Sequence, residues 1–297
     1  MHSKNNTELL EITDINKLKE LRDSYRRNTS SWSQHCVGYY CLDNYIRWKE
    51  REPTIKHLKI YTLNDCYRSE GLYIIVDRYQ LFVGSLRQEE QNENLVKALQ
   101  LLDWSGGLKV SSILECHRHS VLEVVNKKQL KLEYDSLTLM YFMTSEKAKT
   151  LVIDCPKGYY VKPLTAKDDA PIVDNHWPNR HQGSLFLINR LIEWNVNMGV
   201  YVENTDELVA WCLRLQGGFL GALQVKDSHK RLGLGSVVTR AISLALAESG
   251  SDVMALVNEE NRPSRGMFEK LGFSVIARCY WLRTFPIQSH YQWPSGE

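Results

Sequence analysis

Apolar residues in the first half of the chain recur with two different periods. In some segments they return every three or four positions, which predicts helices over residues 15–27, 38–49, 92–102 and 120–125. Where they alternate with polar residues or run without a break, they predict strands over residues 56–62, 72–77, 80–84, 108–114 and 137–143. The pattern indicates a mixed α/β domain.

The second half shows the same two periods in a clearer order. Helical spacing predicts helices over residues 167–176, 184–194, 236–248 and 263–272, with Gly250 and Gly272 as stop signals for the last two. Strand patterns predict strands over residues 159–163, 199–203, 208–215, 219–225, 253–257 and 273–282. Each half thus runs helix, helix, several strands, helix, strand, helix, strand, which favours an old duplication.

A short segment with neither helical nor strand periodicity separates the two halves. The sequence Asp154-Cys155-Pro156-Lys157-Gly158 breaks both periods, and no long Gly/Ser or charged linker surrounds it. We therefore predict two tightly packed domains, residues 1–150 and 151–297.

Composition excludes several classes of protein. The net charge is +2 with the signs well mixed, which speaks against a nucleic-acid binder. No apolar run reaches the roughly 18 residues that a membrane span needs, and early acidic residues such as Glu8 and Glu11 argue against a transit peptide. The seven cysteines have no C-x-x-C spacing, so we expect reduced thiols in a cytoplasmic protein and neither a disulfide framework nor a metal site.

The most informative segment is the basic, glycine-spaced turn that follows the predicted strand 219–225. Its residues are Lys230, Arg231, Leu232, Gly233, Leu234, Gly235 and Ser236, and a predicted helix follows directly. Two glycines remove the Cβ atoms that would hold a phosphate away from the backbone, and the first helical N–H groups lack partners within the helix. The turn therefore has the outline of a diphosphate-binding site at a helix N-terminus.

This turn matches neither G-x-G-x-x-G nor G-x-x-x-x-G-K-[ST], the spacings of the dinucleotide and P-loop motifs. Its basic-x-x-G-x-G pattern, followed about thirty residues later by Asn261-Arg262-Pro263-Ser264-Arg265-Gly266-Met267-Phe268, resembles the paired coenzyme A motifs of the GNAT superfamily of N-acyltransferases. The resemblance covers roughly residues 157–285 and is greatest to the FR47-like, or glycine N-acyltransferase, branch. It implies a GNAT fold with a mixed, centrally splayed sheet for the second half. From the element order of the first half we predict that this smaller α/β domain is a degenerate GNAT-like copy, and from its residues that it has no coenzyme site.

The resemblance also implies where acyl-CoA or acetyl-CoA would bind. Strands 219–225 and 253–257 would lie parallel and diverge, which leaves main-chain groups free for the pantetheine arm. The implied coenzyme-binding residues are Leu223, Gln224, Val225, Lys230, Arg231, Leu232, Gly233, Leu234, Gly235, Ser236, Asn261 and Phe268. An alternative interpretation of Asn261 is that it serves as the N-cap of a helix. In the first half, Leu86-Arg87-Gln88-Glu89-Glu90 stands where the turn would be, and its two carboxylates would repel a phosphate.

The sequence departs from the family pattern at the catalytic positions. Phe268 stands where relatives often have a tyrosine that protonates the departing thiolate, and Phe219 stands where glycine N-acyltransferases have a glutamate base. His176, in the predicted acceptor loop, is the substitute we predict for the base, and Ser264 for the hydrogen-bond donor to sulfur. Each residue also has a purely structural interpretation: His176 as a surface histidine, and Ser264 as a serine at the start of a helix. Cys212, inside a strand, is predicted to be a packing thiol.

Three functions follow from these residues. The favoured one is transfer of an acyl group from coenzyme A directly to an amine, most simply glycine or another small amine or amino acid, with a protein or peptide amine as a variant. The second is an acyl-CoA-binding sensor with little catalysis, and the third a purely structural interaction protein. The sequence leaves the oligomeric state and the acyl group open, and the resemblance leaves a mitochondrial location open.

Overall fold

The computed structural model describes residues 7–27, 32–89, 91–288 and 291–294. These residues form two compact units: one runs to Leu139 and resumes at Ala277, and the other spans Met140–Ile276. The predicted boundary at residues 150 and 151 thus lies inside the second unit, and the predicted strand 273–282 is divided between both.

Helices and strands follow one another in the predicted order. The helices are α1 (Ile15–Ser24), α2 (Trp32–Arg51), α3 (Cys66–Ser69), α4 (Glu93–Gln100), α5 (Glu115–Lys127), α6 (Ser145–Ala148), α7 (Ala166–His176), α8 (Ser184–Trp194), α9 (Leu234–Glu248) and α10 (Arg262–Lys270). The strands are β1 (Leu9–Glu11), β2 (Leu58–Leu63), β3 (Tyr73–Asp77), β4 (Gln80–Gly84), β5 (Lys109–Leu114), β6 (Leu132–Met143), β7 (Tyr159–Lys162), β8 (Asn197–Val202), β9 (Leu208–Arg214), β10 (Phe219–Val225), β11 (Val253–Asn258) and β12 (Ser274–Thr284). None of the helices within the described ranges is long and apolar enough to cross a membrane.

In the first unit, the strand order is β1-β2-β3-β4-β5-β12-β6. β4 and β5 pair in parallel through Gln80 and Leu81, whereas β12 pairs antiparallel with β5. The apolar stripe of α4 is buried in the same core cluster as residues of β3, β4 and β5, as its helical spacing predicts. The last strand of the chain therefore completes the sheet of the first unit.

In the second unit, the strand order is β6-β11-β10-β9-β8-β7. β10 pairs in parallel with β11 and antiparallel with β9. Every residue of β9 is buried, because this strand lies inside the sheet. The apolar face of α9, which includes Val237, Ala241 and Ile242, is buried, and α9 packs against β8, β9 and β10. The mixed sheet and the predicted α+β class are confirmed.

His117 in α5 predicts an acid-sensitive first unit. Its side chain is buried, and its Nε2 atom accepts a hydrogen bond from the Ser85 N–H at 3.3 Å. Burial lowers the pKa of His117 to about 4. The unfolded chain takes up this proton near pH 6.5 and the folded chain does not, so this contribution to the free energy of unfolding is complete above pH 6.5 and is lost as the pH falls toward 4.

We expect a slope of about 1.4 kcal/mol per pH unit from this one histidine. Denaturant unfolding at pH 7, 6 and 5 measures it, in the original chain and in His117→Gln, whose amide oxygen can still accept from Ser85. The variant should lose less stability between pH 7 and 5 than the original chain. Equal losses would show that His117 is not the acid-sensitive group.

Candidate active site

The turn between β10 and α9 carries a run of unpaired backbone donors. After β10 the chain forms a short 3-10 helix, Asp227–His229, and then takes positive φ values at Arg231 (66°) and Gly233 (79°). Among the described residues, the N–H groups of residues 231–235 have no hydrogen-bond acceptor, and α9 has no side-chain cap at its N-terminus. Successive free N–H groups at a helix start attract anions.

Gly233 and Gly235 meet different requirements in this turn. Gly233 occupies the left-handed region, which disfavours any side chain. Gly235 is helical, and a Cβ atom built there would meet only the Met267 Sδ atom at 3.5 Å and the Val225 Cγ2 atom at 3.6 Å, both ordinary contacts. The protein's own packing therefore does not require glycine at position 235. The presence of glycine at position 235 is explained if a ligand occupies the space next to the free N–H groups of the turn.

Basic side chains flank these donors. Lys230 forms an exposed ion pair with Asp227, with a Nζ–Oδ1 distance of 2.5 Å, and Arg231 is exposed. An exposed pair of this kind contributes little stability, so a phosphate can compete for Lys230. The charged side chains thus reinforce the backbone donors.

The corresponding turn of the first unit has internal partners for its donors. Asn92 caps α4 by accepting from the Leu95 N–H at 3.0 Å, and the Ser85 hydroxyl accepts from the Arg87 N–H at 3.1 Å. Glu93 adds a negative charge to the first turn of α4. That this unit binds no coenzyme stays a prediction; of the residues on which it rests, Glu90 lies outside the described ranges.

A cavity of about 330 Å³ opens where β10 and β11 diverge. Their parallel pairing is limited to Phe219 with Met254 and Leu220 with Ala255. Beyond it, the register of β10 against β9 shifts between Gly221 and Gln224, and Ala222 has a φ of 50°. The separated strands form two sides of the cavity, through residues 220–224 and 256–258.

The cavity brings together six of the residues predicted from sequence. They are His176, Leu223, Gln224, Asn261, Ser264 and Phe268. Val225 and the turn residues 230–236 do not line it. The resemblance implies that the two strands diverge, but nothing in the sequence predicts that residues 256–258 line the cavity, because a continuous apolar strand pattern does not reveal which of its residues face the gap. Among the described residues, no group of three or more His, Cys, Asp or Glu side chains is placed to hold a metal ion.

One ring nitrogen of His176 forms a hydrogen bond within the protein. It ends α7, and its Nδ1 atom lies 2.9 Å from the Ile172 carbonyl oxygen. A carbonyl oxygen only accepts, so Nδ1 carries the hydrogen and the neutral ring has its lone pair on Nε2. The imidazole also packs edge-on against Trp211, with the ring centres 5.6 Å apart. This tautomer and orientation suit a group that accepts a proton.

Asn261 is the N-cap of α10 and lines the cavity as well. Its Oδ1 atom accepts from the Ser264 N–H at 3.2 Å, which leaves its Nδ2 donors for another partner. Ser264, in the first turn of α10, is partly exposed beside it. Asn261 can therefore cap α10 and bind a ligand at the same time, because capping uses only its side-chain oxygen.

Phe268 cannot donate a proton, and Cys212 is a poor nucleophile. Phe268 is 3% exposed and packs against Tyr141 and Phe273, with ring centres 5.6 and 5.1 Å away. Cys212 is buried in β9, and burial raises the pKa of its thiol to about 12, which keeps it protonated and poorly nucleophilic near neutral pH. Phe219, also buried, cannot act as a base.

Substituting Asn261 by serine separates its two roles. Serine keeps a capping oxygen, so the free energy of unfolding should change by only about 0.5 kcal/mol. If the Nδ2 donors bind the pantetheine arm, as the resemblance implies, their loss should weaken coenzyme A binding about fivefold, the effect of one hydrogen bond. Thermal unfolding and calorimetric titration measure the two effects. The matched control is Asn92→Ser at the N-cap of α4, and equal affinity losses in both variants would refute the ligand role.

Comparison with known proteins agrees with this geometry. The family model described as FR47-like protein matches residues 197–282, a segment that contains the turn, the diverging strands and α10. None of the curated proteins matches the sequence.

Several solved structures have a similar fold along most of the chain. A Drosophila protein is 22% identical with a TM-score of 0.82, and the alignment covers 95% of this chain and 100% of that one. A tandem GNAT protein from the clavulanic acid biosynthesis pathway is 12% identical with a TM-score of 0.59, covering 94% and 98%. A GCN5-related N-acetyltransferase from Sphaerobacter thermophilus is 13% identical with a TM-score of 0.51, covering 86% and 88%.

Proposed function

Starting from a chain with the GNAT fold and an FR47-like segment, we propose that it is an N-acyltransferase that uses an acyl-CoA and transfers the acyl group directly to a small amine. One observation carries this proposal. The unpaired N–H groups of residues 231–235 come shortly after β10, the strand whose free edge opens into the cavity, with only the short 3-10 helix and its flanking residues between them. A diphosphate site and an amide-binding edge thus occur in one continuous segment.

The hydrogen-bonding groups of the turn, of β10 and of Asn261 match the chemical groups of coenzyme A. The N–H groups of the turn, with Lys230 and Ser236, would hold the diphosphate. The free edge of β10 at Leu223–Val225 and the Nδ2 group of Asn261 would pair with the amides of the pantetheine arm, as an added strand does. When bound, the coenzyme supplies the acyl group as a thioester, which an amine can attack without further activation.

The reaction makes two demands on side chains. The amine nitrogen bonds to the acyl carbon while the carbon–sulfur bond breaks, and one proton moves from nitrogen to sulfur, giving an amide and a free thiol. The Nε2 atom of His176 would accept the proton of the amine, and the Ser264 hydroxyl would donate a hydrogen bond to the departing sulfur. No covalent bond to the protein is needed, which suits the buried Cys212.

A second candidate is an acyl-CoA sensor, and Phe219 and Phe268 favour it. Both are buried phenylalanines at positions where the resembling family uses an acid or a base. A sensor would bind acyl-CoA as tightly as an enzyme and would release no thiol.

Two measurements on the purified chain test the proposal. Calorimetric titration with coenzyme A, acetyl-CoA and longer acyl-CoAs should give saturable binding. Thiol release from the bound acyl-CoA should then depend on an added amine, with glycine, simple alkylamines, arylalkylamines and a short peptide as acceptors. Binding without amine-dependent release would favour the sensor, and failure of every coenzyme species to bind would overturn both functions.

Glycine is the acceptor that the resemblance to the glycine N-acyltransferase group suggests, and it stays a prediction together with that branch. The location also stays a proposal. All seven cysteines are free thiols, which suits a reducing compartment such as the cytoplasm.

A further inference from the structure

The wall of the cavity formed by α7, the loop after it and β9 is aromatic. His176, Trp177 and Trp211 contribute to it, with Pro178 and Asn179 completing the loop side. Trp211 is only 1% exposed and His176 packs edge-on against it, so this part of the wall is preorganised. Indole faces are electron-rich, so they attract cations and disfavour anions.

The lining also contains no fixed charge. Among the described residues that line the cavity there is no Asp, Glu, Lys or Arg. A carboxylate brought into such a site would lose its water without gaining a cationic partner. An amine could donate to the Nε2 atom of His176 and contact the partly exposed indole of Trp177.

Two nearby arginines are already engaged. Arg180, in the loop after α7, binds the buried carboxylate of Asp174 with a Nε–Oδ2 distance of 3.0 Å. Arg265, on α10, donates from Nη1 to the Glu259 carbonyl oxygen at 3.0 Å. Drawing Arg180 away would leave Asp174 buried without its cation, which is unfavourable. Neither side chain is therefore a ready clamp for a carboxylate.

We infer that the acceptor is a primary amine attached to an aromatic or apolar group and without a carboxylate, rather than glycine or another amino acid. This inference rests on the proposed function, because it takes the aromatic wall as the acceptor side of an acyltransferase site. The acceptor and the coenzyme would enter the cavity from different walls, with the amine nitrogen beside His176.

A matched pair of probes tests the inference by direct binding. Phenethylamine and phenylalanine differ only in the carboxylate, and calorimetric titration of each into the chain saturated with coenzyme A gives its affinity without turnover. Phenethylamine should bind at least about tenfold more tightly than phenylalanine. Thiol release from acetyl-CoA should follow the same order, with phenethylamine also preferred over glycine.

An added cation should reverse the preference. Asn179→Arg places a guanidinium in the exposed loop that lines the cavity, and it should raise the affinity for phenylalanine about tenfold. Asn175→Arg is the matched control, because Asn175 is exposed on α7 and does not line the cavity. Neither change replaces a buried side chain, so folding should be unaffected.

The outcomes are distinguishable. Equal or tighter binding of phenylalanine or glycine by the original chain, with coenzyme A bound, overturns the inference and leaves the proposed function standing. An unchanged preference in the Asn179→Arg variant also contradicts it. A chain that binds no coenzyme A species fails the proposed function, and the inference with it.

Discussion

Gly235→Asp is expected to weaken coenzyme A binding at least about 100-fold, or about 2.7 kcal/mol. The new carboxylate would stand among the free N–H groups at the start of α9, where it would accept their hydrogen bonds and repel the diphosphate. A Cβ atom at this position makes only ordinary contacts, so the fold should persist. Calorimetric titration measures the affinity, and circular dichroism with thermal unfolding checks the fold.

A pair of alanine variants at the two ends of α9 separates ligand binding from backbone strain. Gly233 and Gly250 both have a φ of 79°, and a Cβ atom at either position meets nothing within 4 Å. Gly233→Ala and Gly250→Ala should therefore destabilise the chain equally, by about 1 kcal/mol each. Only Gly233→Ala should weaken coenzyme binding. Equal affinity in the two variants would contradict a diphosphate site at this turn.

His176→Gln is expected to lower kcat about 100-fold and leave the affinity for coenzyme A within twofold, as expected for loss of a general base. Glutamine fills similar space but provides no nitrogen lone pair that can take a proton from the amine. Steady-state thiol release with a saturating amine measures kcat, and calorimetry measures the affinity. The effect should be on the rate and not on coenzyme binding, because His176 is not among the residues proposed to hold the coenzyme.

His119→Gln is the control for this substitution, since His119 is exposed on α5 and lies outside the cavity lining. It should leave both kcat and the coenzyme affinity unchanged. If His176→Gln keeps full activity, another group removes the proton and the role of His176 as base is wrong.

Most of the fold could be predicted, because burial imposes strong periodicity. The predicted strand 219–225 has the same bounds as β10, since an apolar run bounded by Gly217-Gly218 and a basic turn leaves little choice. β1 and the one-turn helices α3 and α6 were not predicted, because three or four residues are too short to show a period. The prediction placed the start of β6 at residue 137 and was wrong: the strand begins at Leu132, and none of its first five residues is fully buried, so no continuous apolar run marks this end.

Strand pairing between distant segments was harder to predict. Residues 279–283 of β12 pair with β5 of the first unit, although the sequence places this strand at the end of the second half. The apolar pattern of a strand states that it is buried but not which neighbour buries it.

The candidate site shows the same limit. The glycine turn was predicted because a local spacing defines it, and His176, Asn261 and Ser264 were predicted through the resemblance. The resemblance implied that strands 219–225 and 253–257 diverge, but the contribution of residues 256–258 depends on how far they diverge, which no local pattern encodes. The aromatic, uncharged wall of the cavity likewise depends on the loop after α7 lying beside β9, which no local pattern specifies.

A crystal structure of the chain with bound coenzyme A is the decisive experiment for the proposed diphosphate site. We predict that the diphosphate oxygens lie within hydrogen-bonding distance of the N–H groups of residues 232–235 and that the pantetheine arm runs along the free edge of β10 into the cavity. A diphosphate bound elsewhere, with this turn facing only water, would contradict it.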